Sequence, residues 1–154
     1  FLDFLKIDFP RLLVPKKIET LHNLAQIGET LISLHCMSSD YLLDVPRRFE
    51  GTSDFVMGKA HWLDGSIHIE RLNEINDKSN VSRFYDVDED IWNHQVGGSK
   101  VCEKWLKDRR NRVVTQDDIE HFERILRAIE LSIKEIKRLR AFLPPVEDLK
   151  ALFS

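Results

Sequence analysis

From Lys16 onward, apolar residues recur every three or four positions: Ile18, Leu21, Leu24, Ala25, Gly28, Leu31, Ile32 and His35. That spacing lays them on one face of a helix over about residues 16–36, and Ser38-Ser39-Asp40 ends it. Gly28 costs about 1 kcal/mol in a helix interior, which close packing against another element would explain. The period then changes to two. Met57 to Leu63, the pair Asp64-Gly65, and Ser66 to Leu72 predict a hairpin closed by a type I′ turn, with Ile67 and Ile69 on its buried face. Val81 to Tyr85 fits a third strand, after a polar connection over 73–80. Residues 40–56 stay open between a short strand and a loop, with Arg47 to Gly51 reading as loop.

After Asp86 the helical period returns. A short helix is predicted around Asp88 to Asn93, then a break at Gly97-Gly98. A second helix runs from Ser99 to about Arg110 with Val101, Cys102 and Trp105 inward, and Arg109 to Arg112 form a turn. Thr115 is a fitting N-cap for the last helix, and Asp117 and Asp118 suit its positive end. Ile119, Phe122, Leu126, Ile129, Ile133 and Ile136 form a continuous seam toward Arg140, and Pro144-Pro145 stops it. Residues 1–15 read as an extended or partly helical leading segment, and 146–154 carry little pattern. The expected fold class is α+β: a helical bundle of two long helices, about 16–36 and 115–140, with a small antiparallel sheet inserted between them. The chain is expected to be one domain, its helical scaffold at about 1–39 and 86–140 and its β-containing middle at about 40–85.

At 154 residues, with 42% hydrophobic and 32% charged side chains, a single well-solvated core is expected. No apolar run approaches the roughly 18–20 residues of a membrane span, and the first residues lack the features of a signal peptide. The chain starts without methionine inside an amphipathic pattern, so it is expected to be a piece of a longer one. Cys36 and Cys102 form no CxxC pair and read as structural thiols of a cytoplasmic protein. The net charge of −3 argues against nonspecific nucleic-acid binding, but the charge is uneven. Residues 1–99 hold 10 Lys/Arg against 16 Asp/Glu, whereas residues 100–140 hold 12 against 8.

Catalytic patterns are missing. There is no GxxxxGK[ST] loop, no Asn/Asp-Pro-Pro-Tyr motif for adenine methylation, and no recognisable serine–histidine–aspartate set. Asp88-Glu89-Asp90 sits where a helix start should be acidic, and Glu135-Ile136-Lys137 lies on a solvated helix face. His61 and His68 can face each other across the hairpin, but no cysteine or carboxylate completes a zinc site. What remains is electrostatic. Lys100, Lys104 and Lys107 share a helical face and Arg109, Arg110 and Arg112 follow in the turn, a stripe suited to phosphates. Gly97-Gly98 either admits a phosphate to the backbone at a helix start or simply turns the chain. Ion pairing on a solvated helix pair explains the same charges equally well.

Two stretches resemble a known family. One is Phe4-Leu5-Lys6-Ile7-Asp8-Phe9-Pro10-Arg11 followed by a helix ending near Leu34-His35. The other is Ile91-Trp92-Asn93-His94-Gln95-Val96-Gly97-Gly98-Ser99-Lys100-Val101-Cys102-Glu103-Lys104-Trp105-Leu106-Lys107-Asp108-Arg109, then Asp117-Asp118-Ile119-Glu120-His121-Phe122. Both resemble the C-terminal specificity domain of Type ISP restriction–modification enzymes. Ser99 stands where the family commonly has an aromatic residue, and the middle, about 40–85, matches little. The resemblance implies nuclease, ATP-driven translocase and N6-adenine methyltransferase domains upstream. S-adenosylmethionine, ATP and Mg²⁺ would serve those domains and no cofactor this piece. It also implies double-stranded DNA and the methyltransferase domain of the same chain as partners, with no membrane. This piece would then be a non-catalytic reader of DNA sequence. Arg47, Arg48, Lys59 and Arg83, in the divergent middle, are candidates for base or phosphate contacts, the arginines because arginine commonly reads guanine. Trp92 and Trp105 lie in apolar helical patterns and are expected in the core. The alternative is a docking module that joins domains or subunits through its apolar helix seam and touches no DNA.

Overall fold

The computed structural model describes residues 15–72 and 82–143. The leading segment with its Phe4–Arg11 motif, the polar connection, Pro144-Pro145 and the terminal segment lie outside the described residues. In chain order the elements are α1 (Ile18–His35), a 3₁₀ turn (Asp40–Leu42), β1 (Phe49–Glu50), β2 (Phe55–Leu63), β3 (Ser66–Arg71), β4 (Ser82–Phe84), α2 (Glu89–Trp92), β5 (Gln95–Val96), β6 (Ser99–Lys100), α3 (Val101–Asp108), β7 (Val113–Val114) and α4 (Gln116–Phe142).

The chain is mixed α and β. Five strands form one antiparallel sheet in the order β1-β4-β3-β2-β7. The β2–β3 hairpin closes through Asp64 (φ 47°) and Gly65 (φ 76°), the two positive values a type I′ turn needs. Ile67 and Ile69 point inward from β3, and β4 supplies the third strand. β1 stands where a loop is expected from sequence, and β7 follows directly on the expected turn at Arg109 to Arg112. Each has two residues, too few to display a period, and each buries one side chain, Phe49 or Val114.

The main core lies between this sheet and α4. Phe55, Met57, Ile67 and Phe84 meet Ile119, Phe122, Leu126 and Ile129 of the α4 seam, and Phe84 packs edge-on to Phe122 at 4.8 Å between centroids. Ile91 of α2 and Cys102 and Leu106 of α3 close one side. Trp92 and Trp105 pack against this core, as their apolar context predicts. The seam is therefore filled by the sheet together with α2 and α3, while α1 packs on α4 through a separate, smaller cluster.

α4 starts at a full capping box. Thr115 Oγ1 accepts from the Asp118 N–H at 3.3 Å, and the Asp118 carboxylate accepts from the Thr115 N–H at 3.2 Å. α1 differs from its predicted phase. Its buried line is Thr20, Ile27 and Leu34, and Leu34 packs with Leu42 and Ala128 of α4. Leu21 (43% exposed), Ile32 (65%) and Ile18 (84%) face solvent. Gly28 has open space where a Cβ would stand, so close packing does not account for it.

Candidate nucleic-acid interface

Gly97 (φ 59°) and Gly98 (φ 81°) are the two-residue tip of the β5–β6 hairpin, with Val96 paired to Ser99. Both angles favour glycine, which is why this turn needs the pair. The expected helix start at Ser99 moves to Val101, so the glycines turn a hairpin and do not open a helix. Lys100 is the residue before α3, half-buried, and donates from Nζ to Asn93 Oδ1 at 2.8 Å. It is less free than its place in the stripe implies.

α3 is short and two-sided. Cys102 and Leu106 are buried in the core. Burial pushes the Cys102 thiol up to about 12. Lys104 and Lys107 are exposed, and Lys107 lies 3.8 Å from Glu103, a loose surface pair of little energetic weight.

Lys59 joins them through an irregularity in β2. Met57 pairs with Arg71 and Ala60 with Ile69, so Gly58 and Lys59 together oppose Glu70 in a β-bulge. Glu70 fixes this bulge: its Oε2 accepts the Lys59 N–H at 3.0 Å. A Cβ on Gly58 would stand 2.7 Å from that same oxygen and 2.9 Å from Glu70 Cβ, so the site needs glycine. The bulge brings Lys59 to a shallow groove of about 210 Å³ shared with Trp92, Lys107 and Arg110. Lys107 also borders a second depression of about 440 Å³, with Lys100, Lys104 and Gly98 on its rim. A basic surface thus runs from the glycine hairpin along α3 to the bulge, with the carboxylates of Glu103 and Asp108 set into it.

The turn arginines divide. Arg110 and Arg112 are exposed. Arg109 is half-buried, stacked over the Trp105 ring at 3.6 Å and paired with Asp118 at 2.9 Å. Burial opposes ionisation of Asp118, but hydrogen bonds from Arg109 and Thr115 outweigh it and hold its carboxyl below the ordinary value. Arg109 therefore ties α3 to the cap of α4.

The candidates in the middle are not gathered onto this surface. Arg48 is buried: its guanidinium donates to Glu130 at 2.6 Å and to the Asp86 carbonyl at 2.9 Å. Its backbone N–H and that of Phe49 both donate to the buried Glu123 carboxylate, at 2.7 and 2.9 Å. This is a structural junction between β1 and α4, closed to a ligand. Arg83 pairs with Glu50 at 2.6 Å on β4, two strands from Lys59. Arg47 is exposed, and its carbonyl accepts from the Tyr85 hydroxyl. His61 and His68 do face each other, stacked at 5.5 Å, and among the described residues no group of three or more His, Cys, Asp or Glu could hold a metal ion. The bulge, with Glu70 and Gly58 behind Lys59, is invisible to sequence reasoning save for one trace, Gly58 within an alternating strand.

Comparison with curated proteins and with solved structures found no match. The family model of the Type ISP C-terminal specificity domain matches residues 1–136 of the 154, and the chain belongs to that family, with a target-recognition role in restriction–modification enzymes.

Proposed function

We propose that this domain reads double-stranded DNA, and that Lys59, Lys104, Lys107 and Arg110 grip the sugar–phosphate backbone. It would thereby direct adenine methyltransferase and translocase–nuclease domains of the same enzyme. S-adenosylmethionine, ATP and Mg²⁺ would serve those domains, and this one would contribute no catalytic group. The carrying observation is the convergence of exposed cations from β2, α3 and the following turn on one surface. Arg112 extends it. Arg47 is the exposed arginine of the middle, and Arg83 can offer its guanidinium to a guanine only by giving up Glu50. No described helix is long and apolar enough to cross a membrane.

The test is fluorescence anisotropy with a mixed-sequence duplex pool over a range of KCl. Affinity should fall as salt rises. Lys104→Glu with Lys107→Glu should flatten the log–log slope by about two, near 0.9 for each phosphate no longer neutralised. Binding that ignores salt, or a slope untouched by the two changes, would overturn the reading.

One observation favours docking as a second reading. The α4 seam is taken up within the domain by the sheet, α2 and α3, but α1 presents Ile18, Leu21 and Ile32 to solvent, and Tyr41 (67% exposed) and Leu43 (83%) are exposed in and after the 3₁₀ turn. An apolar helix face left open in this way is what a partner would cover. The methyltransferase domain of the same chain is the partner we assign to it. If docking is the whole function, Ile18→Ser with Ile32→Ser in the full-length enzyme should release the two domains, read as a larger radius of gyration by small-angle X-ray scattering, and the lysine changes should leave every activity intact.

A further inference from the structure

α3 turns outward an exposed face of Glu103, Lys104, Lys107 and Asp108, while Cys102 and Leu106 hold its other side in the core. Glu103 and Lys107 border both depressions of the basic surface, so they form the crest between them. Lys59 and Arg110 line the groove on one side of this crest, and Lys104 lines the depression on the other. Cations thus flank the crest on both sides, as the two phosphate strands flank the base edges in a groove of duplex DNA. The major groove is about 12 Å wide and admits an α-helix, and the eight residues of α3 offer about 12 Å of one.

A carboxylate on the crest is out of place if the surface only grips phosphates, because it repels them. The fold makes little use of it. The Glu103 side chain is 47% exposed, and among the described residues its ion-pair partner is Lys107, at a loose 3.8 Å. A glutamate at this third position of a helix can close a capping box, but the N-cap is Lys100, which makes no side-chain bond there. The Glu103 oxygens therefore stay open to a ligand.

The base edges of the major groove limit what that ligand is. An ionised carboxylate only accepts hydrogen bonds. Guanine O6 and N7 and thymine O4 are acceptors too and would face it like to like. Adenine offers its N6 amino group beside the N7 acceptor, a pair that an amide matches and a carboxylate does not. Cytosine offers its N4 amino group with no acceptor on the same base edge. On the basis of the DNA-reading role proposed above, we infer that α3 lies in the major groove and that Glu103 determines specificity by accepting from the N4 amino group of a cytosine. The flanking cations hold the phosphates of the two strands.

Selection from a random duplex pool by the full-length enzyme, without ATP or Mg²⁺ and read by sequencing, tests it. The wild type should enrich a sequence containing a C·G pair whose replacement weakens binding roughly tenfold, and Glu103→Ala should no longer demand that pair. Glu103→Gln should admit adenine at the same position, since its amide matches the N6–N7 edge. The other positions should persist in both variants, the slope against KCl should not flatten, and thermal melting should stay close to wild type. A role confined to the stability of α3 would instead lower the melting temperature and leave the sequence preference unchanged. If the wild type enriches no sequence, the DNA reading fails and this inference with it. If it enriches one and Glu103→Ala keeps all of it, or relaxes a position other than a C·G pair, this inference alone is overturned.

Discussion

Glu130 collects three cations on one carboxylate: Arg48 at 2.6 Å, Lys134 at 2.7 Å and Arg127 at 3.1 Å. Burial alone would raise its pKa. The hydrogen bonds from Lys134, Arg48 and Arg127 overcome that and hold it at about 2 against an ordinary 4.5. At about 1.4 kcal/mol per pKa unit, a fully desolvated group so shifted would contribute roughly 3 kcal/mol. Glu130 is 21% exposed and Lys134 is 60% exposed, so solvent weakens part of the interaction and about 2 kcal/mol is the expected contribution. Glu130→Gln removes it and strands the Arg48 guanidinium, 9% exposed, with the Asp86 carbonyl and no counter-charge. Urea unfolding at pH 7 should show that loss at unchanged m-value, with a melting temperature lower by about 4–8 °C. The pH dependence gives the sharper check. The folded pKa lies below the unfolded one, so the stabilisation is whole above about pH 5 and fades as pH falls toward about 2. Wild type and variant should therefore converge on acidification. A gap that stays constant down to about pH 2, or no gap at pH 7, would refute the role given to this junction.

Three further outcomes follow from separate features. Thr115→Ala should cost about 1 kcal/mol in urea titrations by removing one arm of the α4 capping box; an unchanged midpoint would deny the cap its role. Gly58→Ala should destabilise the fold by about 1–3 kcal/mol, because Glu70 must shift to admit the methyl group. It should also weaken DNA binding through Lys59, read together by thermal melting and anisotropy. In native protein, a thiol reagent should label exposed Cys36 at once and reach Cys102 only on unfolding, since Cys102 is buried with its thiol pushed up to about 12. Mass spectrometry of a timed labelling series distinguishes the two, and equal rates would contradict the burial.

What the chain declares locally, it declares well. Asp64-Gly65 between alternating strands and Thr115 ahead of a regular apolar seam each carry their signal within a few residues, and both stand as expected. Features that depend on a distant partner are silent. The buried side of α1 is chosen by Leu42 and Ala128, so the apolar count alone could not set its phase. β1 and β7 exist because β4 and β2 offer them open edges. β5 and β6 bury neither of their outward residues, which leaves the glycine pair as their sole sequence mark.

Arg47 and Arg48 show why the candidate site was only partly legible. The two residues are identical and adjacent, so composition and charge cannot separate them. Their surroundings do: both precede β1, and only Arg48 lies against α4, where Glu123 and Glu130 receive it. Arg48 turns in and meets Glu130, 82 residues away in sequence, while Arg47 stays in water. Lys59 is the converse case. In an unbroken strand its neighbour would oppose Glu70 alone; the extra residue at the bulge re-aims it toward Lys107 and Arg110. Charge in the sequence states how many cations are available. Tertiary partners and pairing register decide which of them remain free to meet a phosphate: carboxylates of α4 withdraw Arg48, and the bulge supplies Lys59.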